Sequence, residues 1–518
     1  MNVLYIDCDS LRPDHLGCYG YHRDTSPTID RLAADGRRFT DYYAADVPCL
    51  PSRTGLFLGR FGFHTGVVNH GGAYADARNL GPGRGAANDG RHQTWMTAMR
   101  DAGYHTAFVS PFPQRHGAWH VLDGFNEWID TGGDGSDRAD VVTAHAVEWL
   151  ESQLEGGDGE DWHLHVNYWD PHTHYDTPES YGNPFADEPA PEWPPGDTIA
   201  EQYESYGPHS AQDLHHGYLT GTGTPDDLPR VPDEIEDRAD FERWIDGYDV
   251  GIRYMDDHIA DLLAVLEAAG VREDTLVIVS ADHGENQGEL NVYGDHQTAD
   301  YWTCRVPLIV SGPGVEPGVD EDLHYQLDLP QTVVDLVDGD VPGGWDGMSF
   351  APSIESGDDD GRDQLVLSQG TWACQRAARW GDWLLIRTHH DGLKTFDPVE
   401  LYDLAADPHE TENLALDHPD VVSEGLAIID DWRDRRLADA ATGRDGGIPD
   451  AHEALVDPLF GVIREGGPHY TSGNEDVYAE RLRETGRPEH AEEVERRRGV
   501  VEREVASYLD GAYTVGHE

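Results

Sequence analysis

The chain has 518 residues, enough for two or three domains and a large core. Its 36 Lys and Arg against 100 Asp and Glu give a net charge of −64, with Lys394 the one lysine, which argues against nucleic-acid or anionic-membrane partners because those surfaces are bound through basic side chains. Self-repulsion of this size is screened at about 1 M salt, where the Debye length is about 3 Å, and the acidic residues are spread among Trp, Tyr and aliphatic residues, so the composition suits a folded protein working in molar salt.

Residues Val3-Leu4-Tyr5-Ile6 are a continuous apolar run, the mark of a buried parallel strand, and they end in Asp7-Cys8-Asp9-Ser10, where Asp7 and Asp9 fall on one face. No basic leader, twin arginine or long apolar stretch accompanies this start, so a soluble, cytoplasmic protein is expected. In the stretch from Pro48 to Arg60, Pro51 fits the first turn of a helix and puts Cys49 just before its N-terminus. Free N–H groups and the helix dipole make an anion site there, and positive surroundings would favour the thiolate. The five cysteines (Cys8, Cys18, Cys49, Cys304 and Cys374) have no regular spacing and indicate no disulfide framework.

Apolar runs over 106–110, 163–168 and 276–280 predict further buried strands, followed respectively by Arg115 and His116, by Trp169 to Tyr175 including His172, and by Asp282 and His283. Residues 176–235, rich in Pro, Gly, Asp and Glu, read as a surface insertion over the site. Helical spacing of apolar residues predicts a helix over 248–269, and 305–310 reads as another strand. A Gly, Asp and Pro-rich stretch over 341–362 marks a boundary. The expected organisation is an α/β domain over 1–345, a smaller unit over 365–440 with a helix at 421–437, and a helical extension over 441–518, charged and helical at 477–505.

The segment Cys49-Leu50-Pro51-Ser52-Arg53, with Leu56 and Gly59, resembles the signature of the sulfatase family, in which a dedicated enzyme oxidises the Cys to formylglycine; Leu58 stands where Thr is usual. Leu11 to Gly20 and Ala281-Asp282-His283-Gly284-Glu285 look like sulfatase sequence too, and the likeness runs in order over roughly 2–415. It implies an alkaline phosphatase-like fold, a mainly parallel sheet sandwiched by helices with a smaller C-terminal α+β subdomain, and it implies that the domain over 1–345 is catalytic and the unit over 365–440 an antiparallel-sheet subdomain. It also implies one divalent cation held by Asp9, Asp282, His283 and the modified Cys49, an oxygen-rich set that suits Ca²⁺. Ser10 stands where the family has a second acidic ligand, so Asp7 is expected to supply that carboxylate.

Two family lysines are replaced, by Ser110-Pro111-Phe112-Pro113 and by Tyr293-Gly294-Asp295-His296, so Arg115, His116 and His296 are expected to hold the sulfate. If the histidines carried that charge alone, activity should fall as they deprotonate above about pH 7. The likeness of Pro171-His172-Thr173 to the family loop makes His172 the acid for the departing alcohol. In the implied reaction hydrated formylglycine attacks sulfur, Arg53 and the cation stabilise the developing charge, and a second hydroxyl expels sulfate. Partners would be a small-molecule or glycan sulfate ester and the formylglycine-generating enzyme. The missing lysines and Ser10 keep open a phosphomonoester or phosphonate monoester hydrolase of the same superfamily, and a non-catalytic binding scaffold is the third reading.

Overall fold

A computed structural model describes residues 1–72, 74–77, 93–133, 135–156, 161–215, 217–220, 228–358, 361–442 and 456–497. Its strands are β1 (Asn2–Cys8), β2 (Arg37–Tyr43), β3 (Asp46–Val47), β4 (His105–Val109), β5 (Glu127–Ile129), β6 (Trp162–Tyr168), β7 (Thr275–Ala281), β8 (Leu308–Ser311), β9 (Gly318–Tyr325), β10 (Gln364–Gln369), β11 (Cys374–Trp380), β12 (Trp383–His390) and β13 (Val399–Asp403). Eight of them form one sheet in the order β5-β4-β6-β1-β7-β8-β2-β9, parallel except where β8 meets β7 and β2. Strand β8 begins only at Leu308, three residues after the predicted start, because Pro307 has no N–H to give the ladder.

The apolar runs read in the sequence form the centre of this sheet. Val3, Leu4, Tyr5 and Ile6 of β1 and Leu276, Val277, Ile278 and Val279 of β7 are fully buried, each contributing about 1.5–3 kcal/mol of burial free energy. Helices Pro27–Asp35, Ala139–Gly156 and Arg238–Ala269 pack together along the sheet, and Cys49–Leu58, Trp95–Asp101 and Leu329–Leu336 form a second group. The helix predicted at 248–269 starts ten residues earlier because Asp237 caps it, accepting hydrogen bonds from the Ala239 and Asp240 amides, and because Phe241, Trp244 and Ile245 extend its buried face.

The second sheet runs β13-β12-β11-β10-β3, antiparallel among β10 to β13. It is not made of residues 365–440 alone, since β3, immediately upstream of Cys49, pairs in parallel with β10. The helix expected at 421–437 spans Pro419–Thr442. In the C-terminal segment the expected charged helix is interrupted: Glu475–Glu484 ends before Gly486, which has a left-handed φ of 83°, and Pro488 opens a new helical turn; residues 498–505 of that expectation lie outside the described residues. Among the described residues no helix is long and apolar enough to cross a membrane.

Residues 456–497 clamp the molecule. Asp457 forms a two-point ion pair with Arg376 of β11 (2.5 and 2.7 Å) and caps Pro458–Arg464. Tyr478, Arg481 and Arg487 converge on the buried carboxylate of Asp213 in the 176–235 insertion. Asp457→Ala is expected to cost about 3–5 kcal/mol in unfolding free energy, because it leaves Arg376 buried and unpaired. Removing the exposed Glu493 partner of Arg496 should change stability by less than about 1 kcal/mol. Chemical denaturation of the two variants in molar salt checks the contrast.

Candidate active site

Four adjacent parallel strands, β4, β6, β1 and β7, end side by side, and the residues just past their carboxyl ends are Arg115, His172, Asp9 and Asp282. This is where open α/β sheets gather their sites. Cys49 is the first residue of the helix Cys49–Leu58, which is buried along its whole length and ends on Gly59 at φ 59°. The helix aims both Cys49 and Arg53, four residues on, at those strand ends.

Ligand atoms of Asp9, Cys49, Asp282 and His283, all buried, lie within 4.8 Å of one another. His283 Nδ1–H donates to the Gly284 carbonyl (2.8 Å), which fixes the tautomer and turns the Nε2 lone pair toward Cys49 Sγ (3.1 Å), Asp282 Oδ2 (3.3 Å) and Asp9 Oδ1 (3.8 Å). Ser10 donates its N–H to Asp282 (3.2 Å) and its hydroxyl to Asp9 (3.3 Å), so it aligns the carboxylates where it does not replace one.

Arg53 is the counter-charge, with Nε on Asp7 (2.8 Å) and Nη1 on both Asp9 (3.0 Å) and Asp282 (2.6 Å). Three buried carboxylates against one guanidinium leave two negative charges uncompensated, the deficit a divalent cation fills. Burial, with repulsion from Asp9 and Asp7, pushes Asp282 well above the ordinary carboxylate range in spite of Arg53. The donor set fits a cation.

Two expectations change here. Asp7 is outside the four-residue cluster; its carboxylate is taken by Arg53 and by His165 (3.3 Å). The Cys49 thiol is not activated as cysteine: burial, then Asp9 and Asp282, push it well above its ordinary value, outweighing Arg53 and Arg115.

Facing Cys49, Arg115 lies flat on Trp169 (3.7 Å), with Nη1 tied to the Gly135 carbonyl (3.2 Å). His172 stacks on the other residue of this trio, Trp169, at 3.9 Å and donates Nδ1–H to the Thr173 carbonyl (2.6 Å), leaving Nε2 toward Asp9 Oδ1 at 4.0 Å. Burial pulls His172 down to about 3, Asp9 opposing and Arg115 adding. His116 Nε2 and His296 Nδ1 are buried with no hydrogen-bond partner among the described residues, as expected of groups awaiting a ligand. Burial holds both imidazoles well below their ordinary value, so they are neutral N–H donors and the expected fall above pH 7 has no group to cause it.

These side chains belong to a closed belt. From His116 it passes to His70 (ring centroids 4.9 Å) and Tyr470 (5.8 Å), then to Trp372 (4.7 Å), His209 (5.5 Å) and Asp295 (Nε2 to Oδ2 3.1 Å). It closes through His296, His172 (5.4 Å), Trp169 and Arg115. His70, His209, Trp372 and Tyr470 were not singled out in the sequence: they sit on loops without periodicity, in four separate parts of the chain. The 176–235 insertion does reach the site, through His209.

The sulfatase family model matches residues 1–339, and the chain belongs to the sulfatase family. It is 23% identical over 488 residues to the N-acetylglucosamine-6-O-sulfatase of Bacteroides thetaiotaomicron, covering 80% of this chain and 82% of that protein. A protein solved in complex with its substrate D-glucosamine-2-N,6-O-disulfate superposes with a TM-score of 0.66 at 20% identity, over 84% of this chain and 98% of the other. The phosphonate monoester hydrolase of Agrobacterium radiobacter has the same fold, with a TM-score of 0.64 at 21% identity over 84% and 96% of the two chains. The protein is thus an enzyme of the sulfatase group within the alkaline phosphatase superfamily.

Asp9→Asn and Asp282→Asn are each expected to weaken Ca²⁺ binding by tenfold or more, on the scale of about 10–100-fold that attends disruption of metal-site ligation. Asp7→Asn should weaken it less than either. Calorimetric titration of the metal-free variants checks the order; an Asp7 effect as large as that of Asp9 would restore Asp7 to the ligand set.

Proposed function

We propose that the protein hydrolyses sulfate esters of small molecules or glycans, with Cys49 converted to formylglycine by a formylglycine-generating enzyme and Ca²⁺ held by Asp9, Asp282, His283 and residue 49. The observation that carries this reading is the convergence of Cys49 on His283 Nε2 at 3.1 Å inside a buried cluster short of two positive charges. Once oxidised and hydrated, residue 49 supplies an oxygen nucleophile and a second hydroxyl that lets sulfate go, and the bound cation supplies stabilisation of negative charge.

The chain's own groups account for the rest. Arg53 fixes the carboxylates and adds positive charge beside residue 49. Arg115, held flat by Trp169, faces the transferring group with N–H donors, and His116 and His296 add neutral ones. For His172 to give a proton to the leaving alcohol, its Nε2, directed into the site, must first take one up; an anion bound nearby raises its basicity in the same sense as Asp9.

Charge favours a monoanion. With the cation in place the carboxylate cluster is neutral, and Arg115 balances one further negative charge. A sulfate ester carries one, whereas a phosphate monoester carries about two near neutral pH. A phosphonate monoester is also a monoanion, which makes it the informative competitor.

Co-expression with a formylglycine-generating enzyme should lower the intact mass by roughly 18 Da, the change from thiol to aldehyde. Cys49→Ala should abolish ester hydrolysis with the fold retained. Arg115→Ala should lower kcat/KM by about 10²-fold, the scale of losing one preorganised donor. Turnover of a panel of sulfate, phosphate and phosphonate esters in molar salt decides the substrate: phosphonate ester turned over faster than every sulfate ester would move the assignment to the rival hydrolase.

A further inference from the structure

Leu50, next to Cys49, carries one of the N–H groups that a helix leaves unpaired in its first turn. That N–H donates to His70 Nε2 at 3.3 Å. An amide N–H can only donate, so Nε2 holds a lone pair and the neutral ring carries its proton on Nδ1. Nδ1 is 3.2 Å from the hydroxyl of Tyr470, so His70 donates to Tyr470. The phenol oxygen therefore already accepts a hydrogen bond, and its own proton points elsewhere. Among the described residues no other hydrogen bond engages that hydroxyl.

The ring itself is fixed. Trp372 packs on it at 4.7 Å, the Tyr470 amide bonds to the Thr371 carbonyl (3.3 Å), and the neighbouring His469 amide bonds to Asn69 (3.3 Å). One imidazole thus separates the hydroxyl from the residue beside Cys49. Burial holds the phenol above its ordinary value with Arg115 opposing, so the proton is present at working pH.

We infer that Tyr470 donates a hydrogen bond to the oxyanion held over residue 49, and that His70 is the positioning residue that turns the hydroxyl toward it. This rests on the reading of residue 49 as the nucleophile, and it adds to the site a group from the C-terminal segment, beyond the residues 1–339 that match the family.

Tyr470→Phe removes the donor and keeps the ring. It should lower both the affinity for inorganic sulfate, measured calorimetrically on the Ca²⁺-loaded protein, and kcat/KM for the best ester by about tenfold, with the melting temperature and Ca²⁺ affinity unchanged. His70→Ala should have a comparable effect alone and little further effect in the Tyr470→Phe background, the non-additivity of residues acting through one contact.

Wild-type sulfate affinity and turnover in Tyr470→Phe would overturn the inference, as would additive effects of the two substitutions for the role of His70. The binding arm is independent of chemistry: a wild-type protein that binds sulfate in a Tyr470-dependent way but hydrolyses no sulfate ester after conversion of Cys49 upholds Tyr470 and overturns the proposed reaction. A wild-type protein that binds no sulfate overturns the role of Tyr470.

Discussion

The site depends on the ion pairing of Arg53. Its guanidinium is fully buried and spans Asp7, Asp9 and Asp282, which arrive from the ends of two neighbouring strands. Without it three carboxylates would share one buried space, and protonation or local unfolding would be the cheaper state. With it the cluster keeps a deficit of two charges, enough to draw a divalent cation and too little to hold the carboxylates as inert pairs. Phe112 covers the guanidinium at 4.6 Å, so water does not share the load.

Position 49 is held by both sheets. Strand β3, ending two residues before Cys49, is an edge strand of the second sheet, while the helix that begins at Cys49 packs with the helices of the first. Position 49 therefore lies at the joint between the two sheets. Residues 456–497 add a third support: Asp457 grips β11, Tyr478 and Arg487 grip Asp213, and between them Tyr470 enters the belt.

The strands that carry Asp9, Asp282 and His283 were legible in the sequence because these residues come just after short apolar runs with the length and β-branched content of buried parallel strands. The part played by Asp7 was less legible for a related reason. Period-2 spacing correctly puts it on the face of Asp9, but spacing does not tell a ligand from a partner of Arg53. The thiol was misread because the helix N-terminus is visible in the sequence while Asp282, brought from 233 positions away, is not weighed by any local rule. His70, His209, Trp372 and Tyr470 left no signal at all, since each is ordinary in its own loop and meaningful only where four loops meet.

The absence of the family's lysines fits this environment. An ammonium is a compact, strongly hydrated charge on a flexible stem, and in a dry pocket it tends to lose its proton; the chain's one lysine, Lys394, is half-buried, and desolvation pulls it down to about 7. Arg115 keeps its charge, and its flat guanidinium is held by Trp169 as a lysine could not be. Neutral His116 and His296 then give directed N–H groups with no extra charge to be desolvated. In a chain of net charge −64, one arginine held on an aromatic ring and several neutral donors would bind an anion by geometry, and salt would screen the exposed Arg115 more than the buried His296.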